Sequence, residues 1–373
     1  MLLKNEMWLK DLDSVLDQSE DFKKLEGKSV LITGATGLIC SAVVDLFIRY
    51  NETRIKPVSL DNGSDSGDDK YIKILAACRN EEKARNRFGE YFDREYFKFV
   101  HYDATAEKLG FDFESDYVIH GASNAFPSKI VGEPVETMLS NFSGLYKLLE
   151  YARSVDARRV LYISSSEIYG NRTSADEEEQ KKPFTENEYG FIDLLSPRSC
   201  YPISKRAAET LCVCYQAEYN VSTVIVRPGH IYGPTASLAD NRISSDFARM
   251  AASGEKLVMR SPGSQMRSYM HCLDTASAMI KVLLEGEGGK AYNVSNPDSI
   301  ISIRQLAEYL AKAGNVELEF DIPNADDAIK FSVMTNASLN SESLEKLNWK
   351  GCFDAEKGLD HTVQVLKLEM QNA

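Results

Sequence analysis

The chain has 373 residues, 43% of them apolar, and a formal net charge of −13, enough to bury a large α/β core with a smaller lobe and no long disordered span. A pI near 5.0 argues against nucleic acid or an anionic membrane as a general partner, leaving only a local basic pocket for a phosphorylated substrate. The seven cysteines form no CxxC pair and the five histidines no HExxH or ligand-spaced cluster, so the thiols read as reduced packing residues and no metal site is assigned.

Residues 1–26 carry charges throughout, which excludes a signal-peptide core or a membrane span and points to a cytoplasmic protein. Met7, Trp8, Leu12, Val15 and Leu16 recur at helical spacing, so this extension reads as a helix lying on the core. SVLITGATGLICS then spans residues 29–41. Val30, Leu31 and Ile32 form the apolar run of an inner parallel strand, and the glycines open a turn before an apolar segment over 38–48. Such a turn offers backbone N–H groups and a helix N-terminus to a dinucleotide pyrophosphate, with Gly34, Thr36, Gly37, Leu38 and Ile39 as its contacts. The spacing Gly34-x-x-Gly37-x-x-Cys40 lacks the usual third glycine, and Cys40 is a small replacement.

Two stretches compete for the second strand. Residues 55–61 would place Asp61 on the ribose, but Pro57 interrupts them and NGSDSGDD follows as a loop. Residues 71–78 are the preferred strand, with Arg79 and Asn80 at its end, a helix over 81–91, and a third strand over 97–102 ending at Asp103. Residues 117–122, YVIHGA, form a fourth strand leading to Ser123 and Asn124, and a helix follows on Met138, Leu139, Phe142, Leu145, Leu148 and Leu149. A fifth strand over 160–163 runs into SSSEIYG, and residues 176–179 read as a solvated acidic loop. A helix over 199–219 and a sixth strand over 223–226 complete a Rossmann-type, doubly wound parallel sheet. Beyond about residue 234 the elements become less regular: helices over 245–253, 274–284 and 302–312 and a strand over 291–294. The expected organisation is an N-terminal extension (1–26), an NAD(P)-binding domain (27–233) and a smaller α/β substrate-binding lobe (234–373), with the chain crossing between the last two.

Tyr201-Pro202-Ile203-Ser204-Lys205 sets a phenol and an ammonium four residues apart on one helix face, where the cation favours phenolate. Ser164-Ser165-Ser166-Glu167 ends the fifth strand and faces the same crevice. In order, TGATGLI, HGAS, SSSEIYG, YPISK, RPGHIYGP and QMRSYMHCLD resemble the motifs of the extended short-chain dehydrogenase/reductase family, the NAD-dependent epimerases and dehydratases, over about residues 28–348. The resemblance implies an enzyme using NAD on a nucleotide-diphosphate sugar. Ser165 would polarise the sugar 4-OH, Tyr201 would remove its proton, and Lys205 would hold the ribose and tune the tyrosine. Arg79, Asn80, Asp103, Ala122, Ser123, Pro228 and His230 complete the implied cofactor contacts. Arg79, in place of the usual ribose-binding aspartate, leaves NADP as an alternative.

A 4-keto sugar can lose CO₂ from a C5 carboxylate, lose water or change stereochemistry. Ser166-Glu167 is similar to the Thr-Ser-Glu of UDP-glucuronate decarboxylases and of GDP-mannose 4,6-dehydratases, and it differs from the Thr-Asp-Glu of dTDP-glucose 4,6-dehydratases. Residues 122–127 and 240–247 resemble decarboxylase loops, which makes Ser123, Asn124, His230, Arg242 and Arg267 substrate contacts, the arginines on the diphosphate. His230 stands where those enzymes usually carry asparagine. With the 51–70 insertion and the N-terminal helix, it places the chain nearer a decarboxylase-like branch found with capsule and polysaccharide genes. The lead reading is decarboxylation of UDP-glucuronate, followed by 4,6-dehydration, 4-epimerisation and a non-enzymatic NAD(P)-sensing scaffold. Helices over 137–153 and 199–219 resemble the pair through which the family forms homodimers.

Overall fold

The chain opens with helix α1 (Glu6–Gln18), capped by Asn5, whose side chain accepts from the amides of Met7 and Trp8 at 3.1 and 3.2 Å. Its apolar stripe is buried at Trp8, Leu12, Val15 and Leu16, against the helices Leu38–Thr53 and Cys272–Glu285. The computed structural model describes residues 1–55, 70–123, 127–174, 176–322 and 336–372. The competing strand with Asp61, most of the 51–70 insertion and Asn124 lie outside them.

Strand β1 (Ser29–Thr33) is buried after its first residue, and α2 (Leu38–Thr53), β2 (Lys73–Cys78), α3 (Glu81–Phe88) and β3 (Phe97–His101) follow. Helix α3 is shorter than expected: Gly89 turns the chain with φ +56°, and a 3₁₀ turn over Gly89–Asp93 takes over. The chain then crosses back to β4 (Tyr117–His120), α4 (Pro127–Gly132), α5 (Pro134–Ser154) and β5 (Arg159–Ile163). A short exposed helix α6 (Glu177–Lys181) stands where a loop was expected, because Asp176 caps it through the Glu178 amide at 2.9 Å and acids fill its first turn. Helix α7 (Cys200–Tyr219) and β6 (Thr223–Pro228) complete the alternation.

The second half continues through β7 (His230–Tyr232), α8 (Ile243–Ala252), β8 (Leu257–Met259), β9 (Met266–His271), α9 (Cys272–Glu285) and β10 (Ala291–Val294). After these come β11 (Ile300–Ser302), α10 (Ile303–Gly314), β12 (Leu318–Phe320), β13 (Asn336–Ala337), α11 (Glu342–Glu345) and α12 (Ala355–Gln371). The main sheet has seven parallel strands in the order β10-β6-β5-β4-β1-β2-β3. Helices α2 and α9 pack on one face and α5 and α7 on the other. Strand β10 pairs with β6 from Ala291↔Ile225 to Val294↔Pro228, so the chain returns from the second layer to the edge of the main sheet. Strands β7, β9, β11 and β13 form a second sheet, and α8, α10 and α12 pack around its core. The main strand order reverses between β1 and β4, which opens a crevice at their C-terminal ends.

Candidate active site

The turn after β1 requires its glycines. Gly34 has φ +71°, and a Cβ there would lie 2.9 Å from the Gly121 carbonyl carbon. Gly37 is the N-cap of α2 and offers no side chain to the first helical turn, whose N–H groups are the usual phosphate donors. Across the crevice, a Cβ on Gly121 would lie 2.4 Å from Cys40 Sγ. Cys40 thus occupies space that Gly121 leaves empty, which is how the fold absorbs the missing third glycine.

One cleft gathers Gly34, Thr36, Gly37, Arg79, Asn80, Asp103, Ala122 and Ser123. Leu38 and Ile39 begin α2 beside it, whereas Pro228 is buried at the end of β6 and His230 borders a second pocket. Asn80 Oδ1 is committed to capping α3 through the Lys83 amide at 2.8 Å. Asp103 accepts from the Thr105 amide and hydroxyl at 2.8 and 2.7 Å, which with the Arg79 charge holds its carboxyl below the usual range. Lys83 also lines this cleft. The sequence reading missed it, although it sits four residues beyond Arg79 in the first turn of α3. The glycine cradle and the buried Ser123 hydroxyl, without a hydrogen-bond partner among the described residues, fit a dinucleotide.

Strand β5 delivers Ser164 and Ser165. Ser165 caps the 3₁₀ turn Ser166–Tyr169, its Oγ accepting from the Glu167 amide at 3.1 Å, and its hydroxyl stands near enough to the Tyr201 phenol to favour phenolate. Lys205, one turn along α7, donates to the Ile163 carbonyl at 2.7 Å. Ser165, Tyr201 and Lys205 therefore converge at the end of β5. Burial pushes Lys205 down to about 7 and pushes Tyr201 up to about 12, the Glu167 charge adding to the latter. The expected lowering of the tyrosine by its lysine is not seen here: Lys205 Nζ is 5.7 Å from the Tyr201 ring centroid and bonds the strand carbonyl, and desolvation dominates. The groups that favour phenolate are the Ser165 hydroxyl, Arg242 and Arg198.

A buried ion pair lies beneath these residues. Glu209 accepts from Ser164 Oγ at 2.5 Å and from Arg227 Nε and Nη2 at 3.0 and 2.6 Å. Arg227 also donates to the Tyr169 hydroxyl at 3.0 Å, which in turn donates to Asn293 Oδ1 at 2.6 Å.

The second pocket is walled by Ser166, Glu167, Arg198, Pro202, His230 and Arg267, among others. Glu167 is ion-paired: Arg198 Nη2 reaches its two oxygens at 3.1 and 2.9 Å. Arg198 was not singled out from sequence, although it lies three residues before Tyr201. His230 is half-buried, its Nδ1 shielded and without a partner among the described residues, and desolvation beside Arg267 and Arg242 holds it down at about 3, hence neutral. Arg242 is clamped by Asp240, Nε to Oδ1 at 2.9 Å and Nη2 to Oδ2 at 2.5 Å, and buried Arg267 donates to the Met266 carbonyl at 2.8 Å. Among the described residues no helix is long and apolar enough to cross a membrane.

A doubly wound parallel sheet, a glycine turn at its switch point and a Ser-Tyr-Lys set at the next strand end define a dinucleotide-dependent enzyme class of the short-chain dehydrogenase type. The chain belongs to the NAD dependent epimerase/dehydratase family, whose model matches residues 30–295. It is 26% identical to UDP-glucuronic acid decarboxylase 1 of Xenopus tropicalis over 348 residues, 92% of this chain and 73% of that protein. It is 29% identical to UDP-glucuronic acid decarboxylase 5 of Arabidopsis thaliana over 290 residues, 78% and 76% of the two chains. Its fold is shared with a UDP-glucose 4-epimerase from Thermotoga maritima (TM-score 0.70, 19% identity, 92% and 99% coverage). A dTDP-glucose 4,6-dehydratase from Bacillus anthracis, solved with NAD, is equally similar (TM-score 0.70, 19% identity, 92% and 98% coverage).

Proposed function

We propose that the protein is an NAD-dependent nucleotide-sugar enzyme that works through a 4-keto intermediate and decarboxylates UDP-glucuronate. The observation that carries the reading is the convergence of Ser165, Tyr201 and Lys205 at the end of β5, with the Ser166-Glu167 pair beside them. The similarity to UDP-glucuronic acid decarboxylases selects among the branches of the family. Bound at the Gly34–Gly37 turn, the dinucleotide would accept hydride from C4 of the sugar and later return it. Tyr201 takes the O4 proton, Ser165 hydrogen-bonds O4, the charges of Arg242 and Arg198 favour the phenolate, and Lys205 holds the ribose. The C5 carboxylate then leaves as CO₂, its electron pair passing to the C4 carbonyl, and Glu167 with Ser166 guides a proton to C5. Arg267 and Arg242 supply positive charge for the diphosphate. The residues after 233 mainly build this substrate side.

Arg79, just after β2, and Lys83, in the first turn of α3, favour NADP as a second cofactor reading, since an acid follows that strand in NAD sites. A homodimer through α5 and α7 accounts for the exposed Val135, Met138, Leu139, Phe142 and Tyr146 on α5 and Val213 on α7. Sedimentation of Phe142→Glu should then report a monomer. Seven unpaired cysteines and the acidic composition suit a cytoplasmic setting.

The deciding experiment is mass spectrometry of UDP-glucuronate incubated with the protein and NAD⁺, with Tyr201→Phe as control. A product lighter by CO₂, absent with the variant, is expected. Unchanged mass with a new sugar would move the assignment to epimerisation. Loss of water from a nucleotide-linked glucose or mannose, with UDP-glucuronate untouched, would move it to dehydration.

A further inference from the structure

The phenol of Tyr201 has two guanidiniums in electrostatic reach, Arg242 and Arg198. They are held differently. Arg242 is locked on the fully buried carboxylate of Asp240 through Nε and Nη2. Arg198 sits in the 3₁₀ turn Pro197–Ser199 that leads into α7, and its partner Glu167 belongs to the 3₁₀ turn after β5. The Arg198 and Glu167 side chains are 45% and 43% exposed, so this pair is weakly held and rearranges at little cost. Among the described residues, Nη2 is the only nitrogen of Arg198 that hydrogen-bonds, and it serves both Glu167 oxygens. Arg198, whose planar fork carries further donors, borders the pocket that Ser166, Pro202 and His230 also line.

We propose that Arg198 recognises a carboxylate at C5 of the sugar, and so selects uronates over neutral hexoses. The inference rests on the nucleotide-sugar reading above. If Tyr201 takes the proton from O4, the substituent on the adjacent C5 is brought to the wall on which Arg198 stands. A carboxylate there finds a cation whose geometry suits it and whose present partner is exchangeable, which neither Lys205, bonded to Ile163 O, nor Arg242 provides. Glu167 has the opposite effect. It places a second negative charge beside the same guanidinium, opposing the substrate carboxylate while that group is ionised. The two members of the ion pair therefore act in opposite directions on uronate binding, which an ion pair serving only to brace the two turns would not do.

The test uses NAD-loaded protein in a Tyr201→Phe background, where turnover is blocked, and titration calorimetry with UDP-glucuronate, UDP-glucose and UDP-xylose. Arg198→Met should weaken UDP-glucuronate about 10–100-fold, the span of a lost charged hydrogen bond, while UDP-xylose changes by less than about threefold and so reports an intact fold. Arg198→Lys should recover part of the loss. Glu167→Gln should tighten UDP-glucuronate about two- to fivefold, the scale of an exposed charge interaction. Equal weakening of UDP-glucuronate and UDP-xylose by Arg198→Met, or weakening by both Arg198→Met and Glu167→Gln, would show a bracing role and overturn the proposal. If the parent prefers UDP-glucuronate to UDP-glucose and Arg198→Met keeps that preference, the assignment of Arg198 alone fails. If the parent shows no such preference, the uronate reading fails and the proposal with it.

Discussion

Glu209 offers the most demanding test of how the site is held. It lies one turn beyond Lys205 on α7, and its two oxygens take Ser164 Oγ at 2.5 Å and Arg227 Nε and Nη2 at 3.0 and 2.6 Å. Arg227 is 2% exposed, so Glu209→Ala leaves an uncompensated cation in the core, at a cost of about 3–5 kcal/mol. Glu209→Gln keeps the shape but loses the charge, and about 1.5–3 kcal/mol is expected from hydrogen bonds to a charged group. The damage should not stop at stability. Ser164 connects Ile163, whose carbonyl anchors Lys205, to Ser165, whose hydroxyl favours the Tyr201 phenolate. Releasing its hydroxyl frees the segment that sets the distance between those groups. Misplacement of about 1 Å at a reacting centre costs on the order of 100-fold in rate, so kcat of Glu209→Gln should fall about 10–100-fold with KM less affected. Urea unfolding and steady-state kinetics of the two variants measure both effects. A Glu209→Ala protein with the parent's unfolding midpoint and slope, and kcat within about twofold, would falsify the reasoning.

Three further outcomes follow from the same geometry. Gly121→Ala places a Cβ 2.4 Å from Cys40 Sγ, so it should destabilise by about 1–3 kcal/mol and weaken dinucleotide binding, and Cys40→Ala in the same chain should restore part of the unfolding midpoint; no rescue would remove that contact as the cause. Lys205 is held by burial at about 7, against about 10.4 for a free lysine. The unfolded chain therefore binds more protons between these values, and stability should rise with pH across that window. Lys205→Met should flatten the rise and gain roughly 1–2 kcal/mol at pH 6, the hydrogen bond to Ile163 offsetting part of the relief, while turnover disappears; an unchanged pH slope would contradict the shift. Arg79→Ala with Lys83→Ala should weaken NADP by about tenfold or more and NAD by less than about threefold, and equal losses for both would remove the 2′-phosphate reading.

Much of the fold was legible because its signals are local. Val30, Leu31 and Ile32 followed by the Gly34 turn announce β1 and α2, and β10 was located at its observed residues, Ala291–Val294. What local pattern does not carry is partnership. Nothing in Ala291–Val294 says that it pairs with β6 rather than with strands nearer in sequence. Strands β7, β8, β11 and β12 are three residues each, too short for alternation to emerge, and β13 has only two. The site divides in the same way. Ser165, Tyr201 and Lys205 stand in recognisable runs, whereas Arg198, Lys83, Glu209 and Arg227 gain their meaning from convergence: Arg198 on Glu167 at the end of β5, Arg227 of β6 on Glu209 of α7. The reading of Tyr201 also changed for a reason that spacing does not contain. Four residues place Lys205 on the same helix face, but the ammonium turns to a strand carbonyl, and the phenol is left in a buried setting.

That setting implies a site that is not ready to act until it is loaded. A phenol pushed up to about 12 and an ammonium pushed down to about 7 both move toward their neutral forms, the consequence of burying two groups away from water. In the proposed mechanism the base for O4 is the charged phenolate, and forming it at neutral pH from a pKa of about 12 would cost about 7 kcal/mol. Positive charge next to the hydroxyl is the remedy available to this architecture. Arg198 and Arg242 already contribute, and an oxidised nicotinamide in the crevice would add a cation while excluding the water that screens it. Titration of Tyr201, followed by tyrosinate absorbance as the difference between the parent and Tyr201→Phe, should therefore move to lower pH on loading with oxidised dinucleotide. The reduced form, which lacks the ring charge, should move it less. Equal titration in the empty, oxidised and reduced states would mean that the phenol is activated by something other than charge brought in with the ligand, and the proton would then have to be followed through Ser165 instead.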